Sequence, residues 1–332
     1  LKAPKGAIPP ADENAVACRF VCAKSFKTVK AAVGGAVFTC RRIGAKGRVK
    51  LASLFRLIRL LARMFSFLGN SWAHRILIWR LSRRELEARF RGSLLGLFWA
   101  VVLPLIMLGV FSLVFGSIFG NRWARPGSHA EIGEYGYPMI LFSGLIIFGM
   151  VSEPINRAPS LILENVSYVK KVVFPVEVLP LVALVTAVIT ASISFVVFLA
   201  VFFFNYGPPP VTILALPIVL LPLALMTLGV TYFFASVGVF LRDLVHVTGP
   251  LMSIAMFLSP LLYPLESLPE AYRPWLYLNP LTIGLNQARE VIFWGRLPSL
   301  SEWIAYFVVS LVVVTLGGGW FIRTKKAFAD VV

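Results

Sequence analysis

The stretch VEVLPLVALVTAVITASISFVVFLAVFFF (176–204), the loop NYGPPP (205–210) and the stretch VTILALPIVLLPLALMTLGVTYFFASVGVFL (211–241) decide the fold. No Asp, Glu, Lys or Arg occurs between Glu177 and Arg242. A bilayer core about 30 Å thick is crossed by roughly 20 apolar residues in a helix. Both runs exceed that length, so they read as two membrane spans joined by a proline-rich hairpin loop. Arg242 and Asp243 end the second run. Two adjacent charges at mid-membrane are costly on insertion scales, so the chain is expected to surface there.

Working outward, four further apolar segments read as spans, approximately 94 to 119, 137 to 153, 245 to 264 and 302 to 322. Of the 332 residues, 58% are hydrophobic and 14% charged, where a soluble domain averages about 25% charged. The composition argues against a water-soluble fold. The formal net charge of +17 is unevenly spread: residues 1–74 carry 14 Lys/Arg against Asp12 and Glu13, and the rest carry 18 against 13 acids. Nucleic-acid binding wants cations interleaved with aromatics on a polar fold, and the long uncharged runs of the body oppose it.

Sidedness follows from the loop cations. Thirteen Lys/Arg gather on one side: Arg75 to Arg91, then Arg157, Lys170 and Lys171, then Arg242, then Arg323, Lys325 and Lys326. Five, namely Arg122, Arg125, Arg273, Arg289 and Arg296, gather on the other. Both termini are therefore expected in the cytoplasm. The expected class is an all-α integral membrane protein with six transmembrane helices, an amphipathic interfacial helix before the first span and re-entrant helices before the last. The organisation is a basic leader expected to be disordered (1–50), interfacial amphipathic helices (51–91), the transmembrane domain (92–326) and a cytoplasmic tail (327–332).

In the interfacial part, Arg56, Arg59 and Arg63 fall in one narrow sector of a helix over 54–68. Residues 75–91 set Arg80, Arg84, Glu87 and Arg91 beside an apolar stripe of Ile76, Trp79, Leu86 and Phe90. Both patterns suit helices lying among headgroups. The segment 264–301 is too polar and proline-rich for a full span, yet rich in Tyr272, Trp275, Tyr277, Phe293 and Trp294. Pieces such as 281–293 read as short helices that enter the membrane and return, which requires protein cover for their backbone ends.

Motifs for chemistry are sparse. Cys18, Cys22 and Cys40 have no histidine nearer than His74, so no zinc set is complete; no metal site and no catalytic residue is assigned. Glu266, Glu270, Glu290 and Glu302 share one side and could pair for acid/base work, but charges around an aromatic loop explain them equally well. No G-x-x-x-x-G-K-[ST] occurs, so the chain supplies no phosphate-cradling loop of its own. The span interiors hold essentially no ionisable residues, which disfavours ion coupling. Energy would then enter from outside, and the loop PINRAPSLILENVSYVKKVVFP (154–175) could receive it, mixing apolar and polar residues as a short helix in a partner's groove would. An ordinary interfacial turn with snorkelling lysines reads the same way.

The stretches RRELEARFRGSLLGLFWAVVLPLIMLGVFSLVFGSIF (83–119), LFSGLIIFGMVSEPINRAPSLILENVSYVKKVVFPVEVLPL (141–181) and FLRDLVHVTGPLMSIAMFLSPLLYPLESLPEAYRPWLYLNPLT (240–282) resemble ABC-2 type transporter permeases, more narrowly those exporting O-antigen, capsule and polyol phosphates. The resemblance covers 75 to about 326, which leaves 1 to about 70, opening on Leu1 rather than Met, as an extension. It implies a six-span half-transporter of a bacterial inner membrane that pairs with a second copy of itself and two copies of an ATPase subunit. ATP and Mg are bound by that ATPase, and this chain carries no cofactor. It implies a coupling helix within 160–171, with Leu161, Glu164, Asn165, Tyr168, Lys170 and Lys171 as contact residues. It implies an access site for a polyprenyl-pyrophosphate-linked glycan at the interfacial helix, where Arg83, Arg84, Arg89 and Arg91 suit a pyrophosphate, although positive-inside topology explains those arginines too. It implies a glycan path bordered by Tyr263, Tyr272, Trp275, Tyr277 and Trp294, for which an aromatic belt is the competing account. A drug or lipid exporter of the same architecture, and a membrane-embedded enzyme acting on lipid-linked sugars, are the alternatives.

Overall fold

A computed structural model describes the backbone of residues 30–33 and 36–39, and residues 73–89, 91, 93, 96–114, 136–169, 174–263 and 269–331. The chain divides into two compact units, Leu1–Arg59 and Leu60–Val332. In the first, strands β1 (Lys30–Val33) and β2 (Ala36–Thr39) pair antiparallel with Lys30 opposite Thr39, an element outside the all-helical expectation. Every regular element described in the second unit is helical.

That second unit begins with α1 (Arg75–Arg89) and, after a 3-10 turn, α2 (Trp99–Phe111). Then come α3 (Gly136–Glu164), the short α4 (Val166–Val169), α5 (Val178–Tyr206), α6 (Leu216–Phe240) and α7 (Leu244–Phe257). The short α8 (Arg273–Leu276), α9 (Pro280–Phe293) and the long α10 (Leu300–Val331) complete it. Four helical segments are long and apolar enough to cross a bilayer: Gly136–Glu164, Val178–Tyr206, Val211–Phe240 and Leu300–Phe328. The segments Trp99–Val114 and Leu244–Phe257 are apolar but shorter, where six full spans were expected. The amphipathic segment 54–68 lies outside the described residues.

Two departures in the helices have physical causes. The second span was expected to end at 153, with a loop from Pro154, but α3 runs without a break through Pro154 and Pro159 to Glu164. Proline inside a helix frees a carbonyl and needs neighbours to compensate. Both prolines are buried, and α6 closes on α3 here: a Cβ at Gly238 would lie 2.3 Å from the Pro159 carbonyl oxygen, so only glycine admits the contact. Arg289, counted above among loop cations, is instead almost completely buried at 2% exposure. The expected breaks elsewhere are present: Gly207 ends α5 at φ +85° in the proline-rich loop, and Arg242 and Asp243 form an exposed turn between α6 and α7.

Burial falls into two clusters. One joins the start of α3 (Tyr137, Ile140, Leu141), the end of α5 (Phe198, Phe202) and α9 (Leu285, Ile292, Phe293). The other joins the end of α3 (Ala158, Leu161, Ile162), the start of α5 (Leu179, Ala183), the second half of α6 (Tyr232, Ala235) and Phe321 and Phe328 of α10. Each cluster organises one end of the bundle, and each end carries a set of polar contacts.

Candidate functional site

At the end marked by the second cluster, α1 lies across α5 and beside the end of α3. Its buried residues are Ser82 and Leu86, and the Ser82 hydroxyl donates to the Val182 carbonyl at 3.4 Å. Ile76 and Trp79, from the expected apolar stripe, are exposed. Of the described stripe residues, Leu86 packs on protein while Ile76 and Trp79 face outward, as an interfacial helix requires.

Three polar links join α1 to α3 and α4. The Arg84 guanidinium donates to the Tyr168 hydroxyl at 2.7 Å and lies 5.7 Å from its ring centroid. Arg89 pairs with Glu153, and Arg157 pairs with Glu85. Arg157 also reaches Glu164 at 3.4 Å, and Ser160 donates to the same carboxylate at 2.7 Å. Two residue sets that the sequence analysis assigned separately, the arginines of α1 and the coupling residues, thus meet in one corner.

The members of each set differ in what they can still bind. All four arginines are exposed, and Arg84 and Arg89 are engaged in these links. Arg83 pairs with Glu87 one helical turn on, and both side chains keep more than half their exposure (70% and 59%). Such a surface pair contributes under about 1 kcal/mol and exchanges readily for a stronger anion. Leu161 is buried at 2% exposure and is part of the core rather than a contact surface. Asn165 turns back to donate to the Leu161 carbonyl at 2.8 Å, ending α3. Tyr168 stacks on Phe174 with centroids 4.7 Å apart. Lys170 and Lys171 lie outside the described residues.

The opposite end is built on α7, α8 and α9. Asn279 caps α9 by accepting from the Leu281 amide at 3.1 Å, and its amide group donates to the Ala255 carbonyl of α7 at 2.8 Å. Arg289 donates to the carbonyls of Pro260 at 2.5 Å and Leu261 at 3.1 Å, and the Tyr137 hydroxyl donates to Leu262 at 2.5 Å. Thr282 covers the Leu276 carbonyl, Tyr306 that of Pro280 and Thr212 that of Val291. A buried carbonyl without a donor costs roughly 1–3 kcal/mol, and here side chains from four elements meet the loose ends of irregular backbone. Sequence reasoning missed these residues, although the demand for covered backbone ends pointed to polar side chains at such positions.

The proposed path aromatics are arranged unequally. Tyr272, Trp275 and Tyr277 around α8 are all more than half exposed. Tyr263 donates back to the Phe257 carbonyl at 2.8 Å. Trp294 is half-buried and packs edge-on against Phe293, with centroids 6.2 Å apart. Phe293 belongs to the core.

A family profile described as ABC-2 type transporter matches residues 76–293. The O-antigen export system permease protein RfbA of Myxococcus xanthus is 29% identical over 277 residues, covering 82% of this chain and 99% of that protein. A protein of the same name from Klebsiella pneumoniae is 24% identical over 256 residues, 76% of this chain and 93% of its own. The polysialic acid transport protein KpsM of Escherichia coli is 25% identical over 250 residues, 73% of this chain and 91% of its own.

Proposed function

With residues 76–293 matching its profile, the chain belongs to the ABC-2 type transporter family, and from that membership we propose that it is the permease subunit of an ATP-driven exporter of lipid-linked polysaccharide. The observation that carries this reading is the near end-to-end similarity to proteins named for O-antigen export and polysialic acid transport. In this reading two copies of the chain pair in a bacterial inner membrane, each has six spans with cytoplasmic termini, and α8 and α9 are re-entrant. The apolar segments Trp99–Val114 and Leu244–Phe257 then serve as the first and fifth spans.

The corner around α1, α3 and α4 is where an ATPase subunit would act. ATP is bound by that subunit and its turnover supplies the energy; this chain supplies the lever. A partner that holds Glu164 and Tyr168 differently in two states biases the permease by the difference in its two affinities. The links of Arg84 to Tyr168 and of Arg157 to both Glu85 and Glu164 favour joint movement of α1 with the coupling corner. Arg83 on α1 and Arg91 beyond its end, both exposed, suit the pyrophosphate of the cargo. At the far end, the exposed rings of Tyr272, Trp275 and Tyr277 suit a sugar chain that slides without one tight site.

Deleting the gene for this chain in its own host tests the reading. The expected result is loss of surface polysaccharide with lipid-linked glycan accumulating inside the cell, restored by the full chain. Unchanged surface glycan would overturn it, and failure of an ATPase subunit to co-purify with the chain would overturn the proposed coupling.

A further inference from the structure

A groove of about 680 Å³ runs between α6 and α10, lined by Gly229 and Phe233 on one side and by Gly319, Trp320 and Arg323 on the other. Its volume is that of a small-molecule site, about 300–1,000 Å³, and apart from Thr315 and Arg323 its lining is apolar. We propose that this groove holds an acyl chain of an anionic phospholipid from the cytoplasmic leaflet, whose headgroup phosphate rests on Arg323.

The glycines give the first reason. Residues 317–319 are three consecutive glycines inside a helix, each costing up to about 1 kcal/mol relative to alanine. Gly317 is explained by helix contact, because a Cβ there would lie 2.0 Å from the Gly229 carbonyl oxygen. Gly319 is not: a Cβ there would meet nothing within 4 Å. Its missing side chain closes no helix contact and instead keeps the groove open beside Phe233 and Trp320, whose ring centroids are 6.3 Å apart.

Depth and charge give the second. From Gly229 to the end of α6 at Phe240 the helix rises about 16 Å, close to half the ~30 Å hydrocarbon thickness. The groove therefore begins near mid-bilayer and reaches toward the basic face, taken as cytoplasmic in the reading above. Arg323 is exposed and forms no ion pair among the described residues. A guanidinium at that level reaches the headgroups, where a phosphate accepts two of its hydrogen bonds. Of the apolar helices a second copy could offer, α2, α5, α6 and α7 carry no carboxylate; a phospholipid brings apolar chain and anion together.

The inference rests on the proposed sidedness but not on the cargo, and its test involves no transport. The full chain, purified in mild detergent, is offered phosphatidylglycerol and phosphatidylcholine of identical acyl chains and examined by native mass spectrometry. Wild type is expected to retain phosphatidylglycerol preferentially. Arg323→Gln should lower that retention about fivefold, the ratio for ~1 kcal/mol per cation at an anionic headgroup, with phosphatidylcholine unaffected. Gly319→Leu should lower retention of both lipids, and Lys326→Gln neither. Equal retention of the two lipids by wild type, or unchanged retention in both groove variants, would overturn the proposal. So would preferential retention of a polyprenyl phosphate, or a disulfide joining two Gly319→Cys chains in membranes, which would assign the groove to a second copy. Unchanged surface glycan on deletion of the gene, with lipid preference intact, counts against the cargo reading alone.

Discussion

The Arg84 guanidinium donates to the Tyr168 hydroxyl at 2.7 Å across 84 positions of sequence, tying the helix expected at the interface to the residue expected to face an ATPase. Because Tyr168 also stacks on Phe174, the tyrosine has two separable duties. Tyr168→Phe removes the hydroxyl and keeps the stack; Tyr168→Ala removes both. An exposed link of this kind contributes about 1 kcal/mol or less. Tyr168→Phe should therefore leave ATPase binding intact while lowering cargo-stimulated ATP hydrolysis a few-fold in the reconstituted complex. Tyr168→Ala should reduce binding as well. Equal hydrolysis by wild type and Tyr168→Phe would remove the link from the coupling path.

Arg157 serves two carboxylates, Glu85 on α1 and Glu164 at the end of α3, and the Glu85 side chain is only 16% exposed. Taking the cation away strands a poorly solvated anion, which costs more than the pair contributed. Arg157→Gln is expected to destabilise by about 2 kcal/mol, and adding Glu85→Gln should recover part of that loss. A thermal-unfolding double-mutant cycle measures the coupling. Strictly additive losses would mean that the pair does not form in the membrane.

What the sequence made legible follows from how local each signal is. The spans built on 176–204 and 211–241 were readable because an uncharged apolar run needs no partner to interpret it. The turn at Arg242 and Asp243 was readable because the cost of burying charge is local as well. The continuation of α3 past Pro154 was not, since it depends on α6 presenting Gly238 to the backbone of Pro159. Arg289 looked like one more loop cation because nothing in its neighbours announces that the carbonyls of Pro260 and Leu261 come to it from the turn after α7. The corner of α1 and α3 has the same character: the types of Arg84 and Tyr168 suggested their roles, but their meeting is a property of the packed helices.

Arg289 yields a sharper expectation. Its guanidinium meets two carbonyls at once and packs against Gly144, where a Cβ would lie 3.2 Å from Nη2. Arg289→Met leaves two buried acceptors unmet, at roughly 1–3 kcal/mol each, and should sharply lower the melting temperature of the purified chain. Arg289→Lys keeps the charge but not the planar fork, so it should recover only part of the loss. Gly144→Ala presses on the end of a flexible side chain and should be mild. Full recovery by lysine would show that charge, not the paired geometry, secures this turn.

The two glycines on either side of Gly318 should respond with opposite sign to the same substitution. Alanine raises helix propensity by up to about 1 kcal/mol over glycine, and at Gly319 nothing within 4 Å opposes the new methyl group. Gly319→Ala should therefore be neutral or stabilising. At Gly317 the same methyl would lie 2.0 Å from the Gly229 carbonyl oxygen, so α6 and α10 must separate. Overpacking costs typically 1–3 kcal/mol, and backbone in contact with backbone has no rotamer through which to escape, so the loss should outweigh the propensity gain. Thermal unfolding of the two variants side by side, in one detergent, gives the comparison. Equal stability of Gly317→Ala and wild type would mean that the helices cross farther apart than their glycines permit.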